Sequence, residues 1–559
     1  MRLAWTCYAS RDGLDAPWRE EWREWRRGAD LWRYVLARAY RKRPLLLVAH
    51  NIFFDLTVSG FFPFFRSRGW ARSFLHERGL TYVLAIRSEE RSIRAVSSTN
   101  WYSGTLEEMG RAVGVPKLSV DFERCAESEL SVYCRRDVEI LVRYVLRYIA
   151  WVRENNLGRF SLTRASQAFA AYRHRFMPRR IYLTRDPEVV EMETRAYFGG
   201  RTEARQLGVI EGGPFVTLDV NSMYPYVMAH YPYPVRLRDY IAPSSPDRVL
   251  SHLDHHLCIA EVTVRTDEPV YPYTLEGRTC FPVGRFRAYL CSGSLRYASE
   301  HGHLEAVHRV ALYEAAPLFE EYVRYFYALR LRAREEGDRL GEQYAKACLN
   351  SLYGKLGQYT DTGECWPTEA KPEYVRYEIL DAVERVLLVR TRCMGMESET
   401  TGREPGPRSM FAIPAHVTDY ARLELWEMMR LVGPERVLYC DTDSLKLREV
   451  DLARLKRRLD PERLGALKVE RRSERLRIYG LKDYIEDGVT VLKGVPRKAR
   501  EVAPGRYVFE SWPGQSTHLR RMLDDTYVVK RTVRDLRRIY RKGRVSPDGA
   551  VEPYELDAP

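Results

Sequence analysis

Ten cysteines are scattered through the 559 residues, with no CxxC pair among them. That spacing excludes a zinc ribbon and gives no sign of a disulfide framework, so a reducing interior is the expected setting. Long apolar runs are also missing. The nearest approach, "PLLLVAHNIFF", is too short to span a bilayer and is interrupted by His50 and Asn51. The opening "MRLAWTCYASRDGLDAPWREEW" turns acidic and polar too early for a signal peptide. Internal repeats and low-complexity tracts are absent. The triplet in "HLDHH" (His252, His255, His256) has nothing nearby to complete a metal site and reads as an exposed helix face. Negative charge is in short supply: 76 Asp and Glu face 90 Lys and Arg, giving a formal net charge of +14. Such a balance suggests a polyanionic partner, nucleic acid or an anionic membrane, although a charge excess also serves solubility. At 45% hydrophobic and 30% charged residues, the composition is that of a soluble globular protein rather than a disordered one. The length calls for several domains.

The pattern along the chain is mixed. Trp18 to Arg43 reads as an Arg/Trp-rich amphipathic helix, followed by a buried strand, Leu45 to Ala49. Helix-like and strand-like segments then alternate to about Asn155, which predicts an α/β domain. A charged, Gly-punctuated stretch ending in "YFGGRTEARQLG" marks a boundary, and the strand "FVTLDV" follows it. Short paired strands (Cys258–Thr266, Tyr271–Phe286), a helical region from Leu318 to Tyr353 and a loop or insertion tip at Glu397–Met410 come next. "YVVKRTVRDLRRIYRKGRV" near the end is a strongly basic helix candidate.

Three segments carry chemistry. In "RVLYCDTDSLKL", Asp441 and Asp443 stand two residues apart in an apolar run. On a strand both would point the same way, and two close carboxylates raise each other's pKa unless a cation lies between them. Asp-Thr-Asp-Ser is also good turn chemistry, so turn and metal site both stay open at this point. "FVTLDVNSMYPYVM" places Asp219 at the end of an apolar strand before a tight bend, where its carboxylate and the Val220 carbonyl could share one hard cation such as Mg²⁺. Asp219 as a mere turn cap is the alternative. In "YAKACLNSLYGKLGQ", Lys346 and Asn350 share a helix face, with Tyr353 and Gly354 one turn on. Taken alone, that face is a solvated one.

In this order and spacing, "DVNSMYP", "KACLNSLYG" and "YCDTDS" resemble the three core motifs of family B DNA polymerases, in the form of the protein-primed branch of bacteriophages, linear plasmids, organelles and viruses. "GLKDYIEDG" resembles that family's KxY motif, with Lys482 and Tyr484 on one strand face holding the primer and template backbones. "YFGGR" (Tyr197, Gly199, Gly200) is similar to its YxGG segment, and "TDYAR" (Thr418, Arg422) to a template–primer contact motif. The resemblance implies an α/β and α+β multidomain chain. An RNase H-like 3'-5' exonuclease-type domain (1–165) would precede a right-hand polymerase. Palm would occupy about 190–255 and 410–500, fingers about 318–358 and thumb 501–559, with insertions in the spans Met228–Gly341 and Pro367–Arg408. It also implies roles. Asp219 and Asp443, with the Val220 carbonyl, would be the main ligands of two Mg²⁺ ions (Mn²⁺ a substitute), and Asp441 a supporting acid. Lys346, and Arg334 three helical turns upstream, would meet the triphosphate of a dNTP. Tyr224 would pack on the sugar, excluding a 2′-hydroxyl, and Asn350 and Tyr353 would flank the nascent base pair, with Gly354 allowing close approach. Glu342 departs from a basic residue of some relatives, which removes a second phosphate contact. The basic helix would track duplex phosphates as part of the thumb. Implied partners are DNA template–primer, dNTPs and a terminal protein primer, for a monomer with no membrane attachment in the cytoplasm of a bacterial or archaeal host. A catalytically idle DNA-binding replication factor is the alternative.

The exonuclease half resembles its family only in part. "VAHNIFFDL" supplies His50, Asn51 and Phe54 for single strands and Asp55 as a metal ligand. "YCRRD" supplies Tyr133 and Asp137, and Lys117 lies at a lysine position of relatives. The family's Asp-x-Glu pair has no counterpart before Asp55. The resemblance places that pair upstream of Met1, so we expect the start to be internal to a longer protein, with a single-strand-binding appendage as the alternative, the sheet to be short of one strand, and proofreading to be impaired.

Overall fold

The computed structural model describes all residues except 1–2, 14–15, 123, 243–245, 381–386, 497, 512–529 and 558–559. Its centre is a five-stranded antiparallel sheet in the order Leu467–Ser473, Phe215–Val220, Ser444–Arg448, Tyr439–Asp441, Thr202–Ala204. Phe215–Val220 is an inner strand, so its apolar side chains meet partners on both faces. Val216 and Leu218 are fully buried, each contributing roughly 1.5–3 kcal/mol by leaving water. The sheet therefore holds Asp219, at the far end of that strand, on a rigid mount.

A second five-stranded sheet packs beside it, ordered Tyr233–Ile241, Leu304–Ala316, Leu257–Thr266, Val283–Cys291, Glu555–Asp557. The helix Ala412–Val432 is buried along most of its length within the shared core. Glu193, on the helix Pro187–Ala196, ties these layers together: it accepts from the Tyr313 hydroxyl at 2.9 Å and from the Ala412 N–H at 3.2 Å. The helices Glu320–Glu335 and Arg339–Leu356 pack on each other. The single helical region expected from Leu318 to Tyr353 is thus two, broken at Gly337, whose φ of +70° a side chain would resist. Arg334 consequently belongs to a separate helix from Lys346, rather than lying three turns upstream on the same one.

The N-terminal part holds its own aromatic core. Phe61, Phe62, Phe65, Trp32 and Trp70 are buried together, and Tyr374, Cys393 and Met394 of a later four-stranded sheet (order Tyr359–Pro367, Met396–Pro405, Leu387–Cys393, Tyr374–Leu380) join that cluster. The Phe53 and Tyr374 rings lie 4.6 Å apart. The sheet of this part runs Leu45–Ala49, Arg91–Ser97, Thr81–Ser88, Ala71–Arg78, with the first two parallel. Ala4–Ser10 and Arg19–Trp25 pair only with each other. The outer edge of Leu45–Ala49 thus has no strand partner among the described residues.

Three local expectations are corrected. Arg19–Trp25 is a strand and only Gly28–Ala37 is helical. The alternation of this segment lets Trp25 meet Thr6 across the pair at 2.8 Å, which outweighs its helix-like Arg/Trp spacing. Residues of the supposed Glu397–Met410 loop form the strand Met396–Pro405, paired on both edges. The basic helix near Lys530–Arg544 is instead the strand Lys530–Asp535, joined to Arg506–Ser511 in a three-stranded sheet. The adjacent β-branched Thr532 and Val533 favour that pairing, and Arg506 closes it on Asp535 at 2.7 Å. Residues 527–529 of that segment lie outside the described residues. No described helix is long and apolar enough to cross a membrane.

Burial pushes the Glu193 carboxyl up to about 7. Between its ordinary value and about 7 the folded chain therefore holds a proton that the unfolded chain has released, and stability falls as pH rises through that window. Glu193→Gln should accordingly stabilise the protein by roughly 1–3 kcal/mol above pH 7.5 and have little effect near pH 4.5. Thermal unfolding at the two pH values checks this, and a substitution equally harmful at both contradicts it.

Candidate active site

Asp219 lies where the strand Phe215–Val220 ends. The chain then turns through Ser222, held at φ +57°, into the helix Met223–His230. The Asn221 side chain fixes this bend by donating to the Asp460 carbonyl at 2.9 Å, and its N–H donates to the Ala466 carbonyl at 2.9 Å. Opposite stands the hairpin of Tyr439–Asp441 and Ser444–Arg448, with Ser444 directly across from Asp219. Asp443 lies in the turn between these strands, not on a strand face with Asp441. The alternative left open by the sequence is the one adopted. Thr442 takes φ +64°, an unusual conformation for a β-branched residue. Two backbone hydrogen bonds pin the turn: Thr442 N–H to the Arg201 carbonyl at 2.7 Å, and Val220 N–H to the Asp443 carbonyl at 2.8 Å.

The consequence is a division of labour. Asp219 and Asp443 line one cavity of about 530 Å³, together with Val220, Tyr224, Arg334, Lys346, Asn350 and Tyr353. The helix Arg339–Leu356 buries Leu340, Tyr344, Leu349 and Leu352 and turns Lys346 and Asn350 outward. The Tyr224 and Tyr353 rings meet at 4.7 Å and form one wall. Asp441 does not line the cavity. It pairs with Lys482 and accepts from the Thr202 hydroxyl at 3.1 Å. Asp219 pairs with Lys468 at 2.9 Å. Asp443 has no ion-pair partner among the described residues; partial burial and then the charge of Asp219 push its carboxyl up to about 6. Arg334 is bound to Glu342 at 2.8 Å, so the acid that departs from relatives occupies the guanidinium expected to meet phosphate.

The donor set suits a hard divalent cation. Asp219 and Asp443 border the cavity with Val220 beside them, and Glu462 and Glu470 line it further out, leaving room for water and substrate oxygens. No group of three or more His, Cys, Asp or Glu among the described residues could hold a metal by itself.

The remaining expected residues are placed differently. Lys482 is in a hairpin turn at φ +56°, just before the strand Asp483–Glu486, so it does not share a strand face with Tyr484. Tyr484 packs against Tyr439 with ring centroids 5.7 Å apart. Thr418 and Arg422 are buried and are not surface contacts. The Thr418 hydroxyl donates to the Pro414 carbonyl of its own helix at 3.1 Å. Arg422 donates to the carbonyls of Phe198 and Gly199 at 3.0 and 3.1 Å, bracing the Tyr197–Gly200 segment from behind. Tyr197 packs on Phe411 and Gly354 is open to solvent. In the N-terminal part, Lys117 is bound to both Asp137 and Tyr133. His50 meets Ser98 at 2.8 Å, Asn51 adopts φ +66°, Phe54 is half-buried and Asp55 is exposed. Sequence reasoning missed Lys468, Arg330 and Tyr327 in the cavity wall. Only the strand pairing that sets Lys468 opposite Asp219 could have signalled the first.

Gly200 explains part of the geometry. A Cβ there would lie 2.7 Å from Thr442 Cγ2, so the hairpin can approach only a glycine. Gly200→Ala should cost about 1–3 kcal/mol of stability by overpacking, and Thr442→Gly in the same chain should recover most of it. Denaturant midpoints of the single and double variants check this; an unchanged cost in the double variant rules out the close approach as its source.

Residues 124–387 match the family described as DNA polymerase type B, organellar and viral. The DNA-directed DNA polymerase of Enterobacteria phage PRD1 is 27% identical over 299 residues, which are 52% of this chain and 49% of that protein. A probable DNA polymerase of Neurospora intermedia is 24% identical over 382 residues, 64% of this chain and 37% of that one. The chain thus spans about half, or less, of the length of these curated relatives. Among solved structures, Phi29 DNA polymerase complexed with primer-template DNA and incoming nucleotide substrates shares the fold, with a TM-score of 0.62 at 17% identity over 96% of this chain and 92% of that one. Its complex with single-stranded DNA gives 0.61 at 17% identity, with the same coverage. Residues 124–387, a little under half of the chain, are thus similar to the organellar and viral type B DNA polymerases.

Proposed function

We propose that this chain is a template-directed DNA polymerase that joins a dNTP to a primer hydroxyl. The observation that carries the reading is the convergence of Asp219 and Asp443 with Lys346 and Asn350 on one cavity. Asp219, Asp443 and the Val220 carbonyl would hold two Mg²⁺ ions, which when bound activate the attacking oxygen and stabilise the leaving one. The protein's own groups do the rest. Lys346, without an ion-pair partner among the described residues, meets the triphosphate charge. Tyr224, backed by Tyr353, closes the sugar side and disfavours a 2′-hydroxyl. Asp441 holds Lys482 beside the site, ready to take a primer phosphate in its place.

The primer hydroxyl comes from DNA or from a terminal protein, and the branch resemblance favours the second. A monomer working in the cytoplasm of a bacterial or archaeal host fits the same reading. The 3'-5' exonuclease of these residues is impaired, because Lys117 bonds both oxygens of Asp137 and so competes with a cation there.

Primer extension tests the assignment. Asp219→Asn and Asp443→Asn should each lower the rate by about 100-fold or more, as loss of groups stabilising transition-state charge does, and Asp441→Asn by less. The wild-type chain should leave labelled single-stranded DNA intact. Equal extension by all four proteins would sink the catalytic assignment, no extension by the wild-type chain would favour the idle DNA-binding factor, and degradation that Asp55→Ala abolishes would refute the exonuclease reading.

A further inference from the structure

Lys468 lies on the strand Leu467–Ser473, in register with Asp219 on the neighbouring strand. Its ammonium is 2.9 Å from Asp219 Oδ2, and the side chain is 38% exposed toward the cavity it lines. The function above gives it no part. Other cations of the cavity wall are already engaged: Arg334 by Glu342, and Arg330 by Glu342 at 3.5 Å and by the Ser222 hydroxyl at 3.2 Å. Among the described cations that line the cavity, Lys468 is the one paired with a carboxylate proposed to hold a divalent cation.

An ammonium nitrogen and a divalent ion cannot share one carboxylate oxygen at contact distance without strong repulsion. The lysine therefore competes for Asp219 Oδ2, and it must move when an ion binds that oxygen. Its backbone is fixed by strand pairing, while its four-carbon stem is flexible. The displaced ammonium stays within the cavity, where Lys346 is the other cation facing open space.

We propose that Lys468 is a two-position residue. In the empty site it is the internal counter-ion of Asp219, and in the filled site it is a ligand for the anionic phosphate tail of the incoming nucleotide or for released pyrophosphate. The first position rests on geometry alone, and the second also rests on the polymerase reading. The arrangement keeps two neighbouring acids tolerable before substrate binds, and it links metal entry to the appearance of a phosphate-binding cation.

The test uses the full chain with Lys468→Met and Lys468→Arg, both at a partly exposed position. Mn²⁺ binding is followed by electron paramagnetic resonance without DNA or nucleotide. Lys468→Met should bind Mn²⁺ about two- to fivefold more tightly than wild type, the size expected for removing one partly exposed ion pair. Lys468→Arg should stay close to wild type. In primer extension, Lys468→Met should raise the dNTP KM about tenfold, as for one lost charge-assisted hydrogen bond, with kcat changed far less. Unchanged or weaker Mn²⁺ binding by Lys468→Met overturns the counter-ion position. An unchanged KM overturns the phosphate position. Should the wild-type chain extend no primer, the polymerase reading fails, and the Mn²⁺ comparison still decides the first position.

Discussion

Two backbone hydrogen bonds hold the candidate site together. The Arg201 carbonyl receives the Thr442 N–H, and the Asp443 carbonyl receives the Val220 N–H. Both join segments far apart in the chain, and both bear on the turn that carries Asp443. Without them nothing would compel two like-charged carboxylates to face the same cavity, since the repulsion between Asp219 and Asp443 favours separation. The rest of the central structure serves this constraint. Gly200 permits the approach, Arg422 braces the segment preceding Arg201, and the buried strand Phe215–Val220 keeps Val220 in place.

Charge around the site is arranged as pairs rather than as a uniform field. Asp219 and Asp441 each hold a lysine, Arg334 holds Glu342, and Lys446 is buried against Glu486 at 2.9 Å beneath the sheet. A chain with a large positive excess therefore presents few free cations at its reactive centre. Lys346 is one, and the lysines on the two acids are others held in reserve. In such a site, binding a polyanion and divalent ions exchanges internal ion pairs for external ones. The buried Lys446–Glu486 pair also accepts the Thr217 and Ser473 hydroxyls as partners. It links the strand of Asp219 to the strand of Tyr484 through a network whose polar groups satisfy one another.

Much of the site was legible because its chemistry depends on residue types at fixed short spacings. Asp219 before a bend, Lys346 and Asn350 one turn apart, and the second acid of the Asp-Thr-Asp-Ser run line the cavity. What failed were inferences that needed backbone conformation or long-range pairing. The i, i+2 spacing of Asp441 and Asp443 looked like a strand face, but Thr442 reverses the chain between them. Lys482 was set beside Tyr484 by the same logic and is likewise displaced by a positive φ. Thr418 and Arg422 were expected at a template–primer contact from the resemblance of "TDYAR" to a family motif, whereas the helix that carries them is buried. Lys468 has no motif, and its importance follows from register alone. In the fold, the alternation of the N-terminal part was readable. Arg19–Trp25 and Lys530–Asp535 were not, since charged segments carry weak periodicity and take their form from the strand they pair with.

The most direct test is anomalous diffraction from crystals of the chain grown with Mn²⁺, primer–template DNA and a non-hydrolysable dNTP. The account predicts two manganese peaks about 4 Å apart, both in contact with Asp219 and Asp443 and with the nucleotide's phosphates. Manganese bound elsewhere, or a nucleotide seated away from these two carboxylates, would contradict it.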